Sequence, residues 1–365
     1  MRPAEAITGV SAQAYTIPTD APEGDGTFTW DKTTLVLVEV AGGGATGLGY
    51  TYADTLLAGF INKTLAPALA SNDAMEVPAA WITMQRQVRN LGRSGLAACA
   101  ISAVDAALWD LKAKLLDVPL ATLLGRVRES VPIYGSGGFT TYSDRQLRDQ
   151  LSGWVERDGC RAVKMKIGAY PERDPARVAV ARIAAGEAEL FVDANGAYDP
   201  RQALRCARSF ADSADIRWFE EPVSSDDLGG LRFVRQHVPA SVVVAAGEYV
   251  FTLDDARQML AAEAVDVQQA DATRCAGITG FLKVAALCEA HHIDLSGHCA
   301  PALHLHAACA VQRFRHLEWF HDHVRIERML FDGAPTPEGG AIRPDLTRPG
   351  LGLMFKRQDA ERYAN

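Results

Sequence analysis

What the 365-residue chain lacks narrows its class before any motif is considered. No apolar run approaches the ~20 residues of a membrane span; a long one, Ala97–Trp109, is broken by Ser102 and Asp105. No lysine- or arginine-rich tract occurs, and 45 acids against 37 bases leave a net charge of −8. That balance argues against nucleic acid or a membrane surface as partner and points to a small molecule. The seven cysteines are odd in number, scattered and never in a CxxC pair, so they read as reduced thiols in a cytoplasmic protein. The opening MRPAEAITGVSAQ has no apolar core of a secretory signal. Low-complexity sequence is also missing, and 48% hydrophobic with 22% charged residues is a globular composition with a large core.

What is present has two textures. Up to about residue 125 the pattern is strands followed by helices. Thr33–Val40 and Leu48–Tyr52 flank Gly42-Gly43-Gly44 as a hairpin, and helical periods follow at Leu56–Ala68, Trp81–Leu91 and Gly95–Leu116. Thr19–Trp30, with Pro22, Gly24 and Gly26, reads as a mobile loop. From Ile133 a beat of short apolar strand, turn and amphipathic helix repeats eight times. Its strands are Ile133–Ser136, Ala162–Lys166, Leu190–Asp193, Arg217–Glu220, Val242–Ala246, Val265–Gln268, Asp294–Ser296 and His316–Trp319. This is the pattern of a (β/α)8 barrel with little helix after its last strand, and after His323 it gives way to Gly/Pro-rich turns. The expected organisation is an α+β capping domain at 1–125, the barrel at 126–325 and a C-terminal segment at 326–365.

Side chains at the C-terminal ends of barrel strands converge on one face. Asp193, Glu220 and Glu248 close three consecutive strands. One strand-end acid is readily a helix cap, but three side by side repel unless a cation joins them, and oxygen-only donors favour a hard ion, Mg²⁺ first. Lys164 and Lys166, two apart on one strand, point to the same face. Crowding against each other and a cation is expected to lower a lysine pKa and make it a base. Asp271 and His298, on neighbouring strands, can form a dyad in which the carboxylate fixes the imidazole tautomer. The lysines and the dyad stand on opposite sides of the mouth, and Glu318, if protonated, would donate a hydrogen bond to a substrate carboxylate between them. The chemistry this allows is abstraction of the proton α to a carboxylate, with enolate stabilisation.

The strings that carry these residues are KMK (Lys164–Lys166), DAN (Asp193–Asn195), FEEP (Phe219–Pro222), GE (Gly247-Glu248), DATRCAGITG (Asp271–Gly280), GH (Gly297-His298) and LEW (Leu317–Trp319). In this order, and along nearly the whole chain, they resemble the mandelate racemase branch of the enolase superfamily. The resemblance implies a modified (β/α)8 barrel whose cap is completed by the C-terminal tail. It implies Mg²⁺ on Asp193, Glu220 and Glu248, opposed acid/base groups at Lys166 and His298–Asp271, and Lys164 and Glu318 on the substrate carboxylate. The Lys or His base with Mg²⁺ is the superfamily's general device. By the same resemblance, loops near Thr19–Thr29 and Tyr50–Thr55 would close over the substrate, and a homo-oligomer is expected.

This set is shared by dehydratases, racemases and epimerases. Dehydration of an acid sugar to a 2-keto-3-deoxy acid is the first expectation, because the segment Asp20–Thr29 offers Asp20, Glu23, Asp25, Thr27 and Thr29 as hydroxyl partners. Asn195, Arg274, Asp20, Thr27 and Tyr50 are the expected substrate contacts. A racemase or epimerase of a 2-hydroxy acid is the alternative, and a non-catalytic barrel that binds a ligand through its metal is the third. Muconate cycloisomerases and dipeptide epimerases fit less well, since they resemble a pattern with a lysine where this chain has Asp271 and Arg274.

Overall fold

Alternation along the strands builds this molecule's centre. In the computed structural model, which describes residues 5–70 and 72–365, eight parallel strands close into a barrel among the described residues. They are β4 (Val131–Gly137), β5 (Ala162–Lys166), β6 (Glu189–Asp193), β7 (Ile216–Glu220), β8 (Val243–Ala246), β9 (Val267–Ala270), β10 (Asp294–Gly297) and β11 (Phe314–Phe320), numbered after three cap strands. β11 pairs with β4 through Leu317–Ile133 and Glu318–Tyr134, which completes the ring. Residues two apart share a face. Val163, Met165, Leu190 and Val192 therefore pack outward into the main core under the helices. Tyr134, Ala162, Phe191, Trp218 and Ala245 point inward as a separate cluster, with Phe191 and Trp218 stacked at 5.3 Å. One step further along the same strands come Ser136, Lys164, Asp193 and Glu220. The barrel thus has an aromatic floor and a charged layer directly above it.

The cap is a three-stranded antiparallel sheet of β1 (Ile7–Gly24), β2 (Thr29–Gly42) and β3 (Ala45–Tyr52) against a helix at Leu96–Leu115. That helix buries most of its length because its residues are alanine-rich, and Gly49 lets it approach. A Cβ at Gly49 would lie 2.3 Å from the Ala103 carbonyl oxygen. Helices at Leu56–Phe60 and Val77–Gln87 fall where the period changes, the second starting four residues before its expected position, with a proline in its first turn.

Two expectations are corrected. Thr19–Trp30 is not an irregular loop: β1 runs through it to Gly24, and after a register shift Glu23 pairs with Trp30 and Gly24 with Thr29. Pro18 and Pro22 obscure that strand because proline usually ends pairing, yet here both lie in or beside the shifted stretch. The last barrel unit also has its helix, at His321–Leu330, whose buried Val324, Ile326 and Leu330 were hidden behind the charges of His321–Arg328.

Beyond residue 330 the chain returns to the cap. Phe355 packs on Tyr15, the Asn365 amide donates to the Ala14 carbonyl at 3.0 Å, and the Leu351 amide donates to Asp110 at 2.6 Å. Asp110 also accepts from the Leu48 amide at 2.7 Å, so one buried carboxylate joins cap helix, cap sheet and tail. A second, Asp105, joins cap to barrel by accepting from the amide and hydroxyl of Thr279 at 2.8 and 2.7 Å.

Burial pushes Asp105 up to about 7 from an ordinary 3.8, against the pull of those donors. A raised folded-state pKa favours the protonated form. Its contribution is therefore full below 3.8 and is lost as pH rises through about 7. The stability of the wild type relative to Asp105→Asn is expected to fall across that window in urea titrations, and a pH-independent difference would refute this account of the cap junction.

Candidate active site

Parallel register brings the charged residues level. Lys166 is paired with Asp193 and Asp193 with Glu220 in adjacent strands, while Glu248, Asp271 and His298 follow the last residues of β8, β9 and β10. Oxygens of Asp193, Glu220 and Glu248 lie within 4.8 Å of one another, all buried. The Trp218 indole donates to Glu220 Oε2 at 2.9 Å and the Asn195 amide to Asp193 Oδ1 at 2.9 Å, so the floor and the turn orient two of the three. Burial and the neighbouring Asp193 push Glu220 up to about 8, the response of a carboxylate crowded by its own kind. A compact, buried, all-oxygen set of this type fits a hard divalent cation.

Lys164 sits below the triad, bonded to Glu220 and 2.8 Å from Glu318 Oε1 and 3.3 Å from Asp193 Oδ2. Lys166 Nζ is 2.5 Å from Asp193 Oδ2. The expectation of lowered lysine pKa values is not what the chain's own groups produce. Burial acts to lower both, but Glu220, Glu318, Tyr134 and Asp193 around Lys164, and Asp193 beside Lys166, outweigh it and hold both above the ordinary value. Glu318 likewise does not stand as a protonated donor. Burial raises it, yet Lys164 and His298 prevail and hold it well below the usual range; it accepts from Ser136 Oγ at 2.5 Å and from the Cys299 amide at 3.1 Å.

Across the mouth, His298 Nδ1 is 2.8 Å from Asp271 Oδ2, and Asp271 Oδ1 accepts from the amide and hydroxyl of Thr273, both at 2.7 Å. Asp271 is thus held at both oxygens, and it fixes the ring so that Nε2 faces Glu248 and Glu318 at 3.3 and 3.6 Å. Burial would lower the imidazole pKa; Cys299, Glu248, Glu318 and the Asp271 bond overcome that and raise it well above normal. The backbone is strained where these groups are presented: Asn195, Glu221, Cys299 and Ala300 have φ of 46°, 37°, 52° and 39°.

A cavity of about 510 Å³ opens on this layer, with Lys166, Asn195, Glu248, Arg274, His298 and Glu318 on its barrel side. A neighbouring cavity of about 560 Å³, lined by Ser225, Asp226 and Met259, reaches none of the acid/base groups. Asn195 and Arg274 stand where substrate contacts were expected; Arg274 Nη1 is 3.4 Å from Glu248 Oε1. Three others do not. Tyr50 is fully buried and donates to Glu327 Oε1 at 2.6 Å, one step too deep along β3, whereas Tyr52 on the same face reaches the rim and stacks on His323 at 3.5 Å. Thr27 is exposed and its hydroxyl donates to Asp25 Oδ1 at 3.1 Å. Asp20 pairs with His321 at 2.9 Å, outside this cavity. The cap wall is instead made by Asp25, Phe28, Trp30, Lys32, Thr33, Thr34, Tyr52 and Asp54. Lys32, Thr33 and Thr34 were missed because a run beginning at Thr33 reads only as a strand. Two polar atoms here, Asn195 Oδ1 and Tyr52 Oη, are buried without a protein partner.

Comparison with known proteins agrees with this geometry. Residues 11–125 match the family described as mandelate racemase/muconate lactonizing enzyme, N-terminal domain, and residues 146–360 match enolase C-terminal domain-like proteins. The chain belongs to the mandelate racemase/muconate lactonizing enzyme family. It is therefore an enolase-superfamily enzyme. One curated relative, 3,6-anhydro-alpha-L-galactonate cycloisomerase of Streptomyces coelicolor, is 35% identical over 86% of this chain and 87% of its own. A family member of known structure from Rubrobacter xylanophilus superposes with a TM-score of 0.96 at 53% identity, covering 98% of this chain and 99% of that one. A variant of L-talarate/galactarate dehydratase, liganded with Mg and L-glucarate, gives a TM-score of 0.90 at 28% identity, covering 99% and 92%.

The cap hairpin of this family member is seated on the strand ends. The Thr140 amide donates to the Gly24 carbonyl at 2.8 Å, and the Thr140 hydroxyl to that of Asp25 at 2.9 Å. Gly26 lies so close that a Cβ there would be 2.2 Å from the Ala194 carbonyl oxygen and 2.7 Å from that of Ile167. Gly26→Ala should lift the hairpin without unfolding the barrel, lowering kcat/KM roughly tenfold or more at unchanged melting temperature. A variant with wild-type kinetics would show that the hairpin contact is dispensable.

Proposed function

We propose that the protein is a Mg²⁺-dependent acid-sugar dehydratase, which removes the proton α to a carboxylate and eliminates the oxygen at the next carbon to leave a 2-keto-3-deoxy acid. The observation that carries this is one cavity lined by Lys166 and His298 on its barrel side and by the polar Asp25, Lys32, Thr33, Thr34, Asp54 and Asn195 around it. Asp193, Glu220 and Glu248 would hold the cation, which supplies Lewis acidity to the substrate carboxylate.

Lys166 is cationic while Asp193 is its partner and becomes basic once the charge of Asp193 is engaged elsewhere. It then takes the α-proton from one face. Lys164 stabilises the negative charge that builds on the substrate carboxylate, and Glu318 positions Lys164. His298, opposite and oriented by Asp271, gives its Nε2 proton to the departing oxygen. The aromatic wall of Phe28, Trp30 and Phe320 limits water at the enolate. In this reading residues 1–125 are cap, 126–325 barrel and 326–365 the returning tail, and Asn195, Arg274 and Tyr52 touch substrate.

A second reading is favoured by the cycloisomerase relative: the same proton abstraction followed by loss of a ring oxygen that stays tethered to the product. Mass spectrometry separates the two, because dehydration gives a product lighter by one water and ring opening gives one of equal mass. A product of equal mass with inverted α-configuration would overturn both and establish a racemase. Lys166→Met and His298→Asn should each lower kcat by about 10³-fold, whereas substantial turnover in either would remove that residue from the mechanism. Chelation should abolish turnover and added Mg²⁺ restore it; activity that survives complete metal removal would reject the assigned cation.

A further inference from the structure

Outside the catalytic layer, the cap hairpin and the start of the last barrel helix bring a second set of acids and imidazole together. Glu23, on the β1 side of the hairpin, is fully buried. Its Oε2 accepts from the Trp30 indole at 2.8 Å, while Oε1 has no partner in the protein. An unsatisfied carboxylate oxygen in the interior is costly, and native structures rarely keep one without a ligand, an ion or a proton. Asp20, three residues earlier, and His321, immediately after β11, complete the cluster: His321 Nε2 is 2.9 and 3.1 Å from the two Asp20 oxygens. One ligand atom from each of Asp20, Glu23 and His321 lies within 4.8 Å of the other two. Buried Asp322 stands by, one of its oxygens bonded to Arg325 and the other without a partner. Three carboxyl groups, Asp20, Glu23 and Asp322, thus meet His321 and Arg325 in one place. Asp20 and His321 also line an open cavity of about 430 Å³, which gives an ion a path from solvent.

From this arrangement we infer that Asp20, Glu23 and His321 form a second divalent-cation site, one imidazole nitrogen and two carboxylate oxygens suited to Zn²⁺ or Mn²⁺. The nitrogen donor separates it from the all-oxygen set on the barrel and shifts its preference towards borderline ions, with remaining positions open to water. The ligands come from two parts of the fold. Asp20 and Glu23 belong to the hairpin that carries Asp25, Phe28 and Trp30 into the active-site cavity, and His321 belongs to the barrel. An ion there ties the cap wall to the barrel and sets how readily the hairpin lifts. The inference does not depend on which reaction the enzyme performs.

Metal-stripped, tag-free full-length protein dialysed against Zn²⁺ alone should retain about two equivalents per chain by elemental analysis, one on each carboxylate-bearing set. Glu23→Gln, which preserves size and leaves an oxygen for Trp30, and His321→Ala should each retain about one. Anomalous scattering at the zinc edge from wild-type crystals should show a peak between the three side chains, a result that stands even if a variant fails to fold. A single wild-type equivalent, unchanged stoichiometry in both variants, or an anomalous signal confined to Asp193, Glu220 and Glu248 would overturn the inference.

Discussion

Buried carboxylates repel one another, and the mouth of this barrel gathers Asp193, Glu220, Glu221, Glu248, Asp271 and Glu318 against Lys164, Lys166, Arg274 and His298. Bringing these acids out of water is tolerable because all but Glu221, whose Oε1 has no partner, find a cation or a donor, and Lys164 touches three of them at once. The floor of Tyr134, Phe191 and Trp218 excludes water from below and so strengthens every charge interaction above it. Strained backbone at Asn195, Glu221, Cys299 and Ala300 is the cost of pointing these groups inward at strand ends. The same excess of negative charge explains why the layer suits a divalent cation and an anionic substrate bound through it.

Labour is divided between the two parts of the fold. In the proposed mechanism the barrel supplies the groups that move protons, fixed on strands whose hydrogen bonds allow little drift. In the same proposal the cap supplies the wall that meets the remainder of the substrate, with Asp25, Phe28, Trp30, Lys32 and Asp54 on or beside a hairpin held by bonds from Thr140 and Thr141. A change of hydroxyl pattern in the substrate can then be met by altering the hairpin while the acid/base pair stays in place. Relatives that act on different sugar acids over one barrel are consistent with such a division.

The charged layer was legible in the sequence because its placement depends on short-range rules. Two-residue alternation sends Lys164 and Lys166 to one side, and strand ends mark Asp193, Glu220 and Glu248. What was not legible depends on distance in space. Tyr50 and Tyr52 share a face and a residue type, and only the depth of β3 against Glu327 and His323 distinguishes them. The hairpin at Thr19–Trp30 carried the composition of a loop, and its pairing rests on a register that residues far along the chain, Thr140 and Thr141, help to hold. The ionisation of Glu318 and the lysines in the chain alone was equally hidden, since each reflects a sum over neighbours from several strands. The cysteines posed no such difficulty: all seven are free thiols, and most are buried as small apolar groups.

The hydrogen bond between Asn365 and Ala14 joins segments separated by nearly the whole sequence, and the bond from Leu351 to Asp110 spans 241 residues. Contacts of such separation form late, after the entropy of closing the intervening loop has been overcome. The barrel, whose units are local, can assemble before the cap is finished, yet without the cap its cavity lacks one wall. Turnover would then be the last property acquired during refolding, after the secondary structure and the barrel core are already in place.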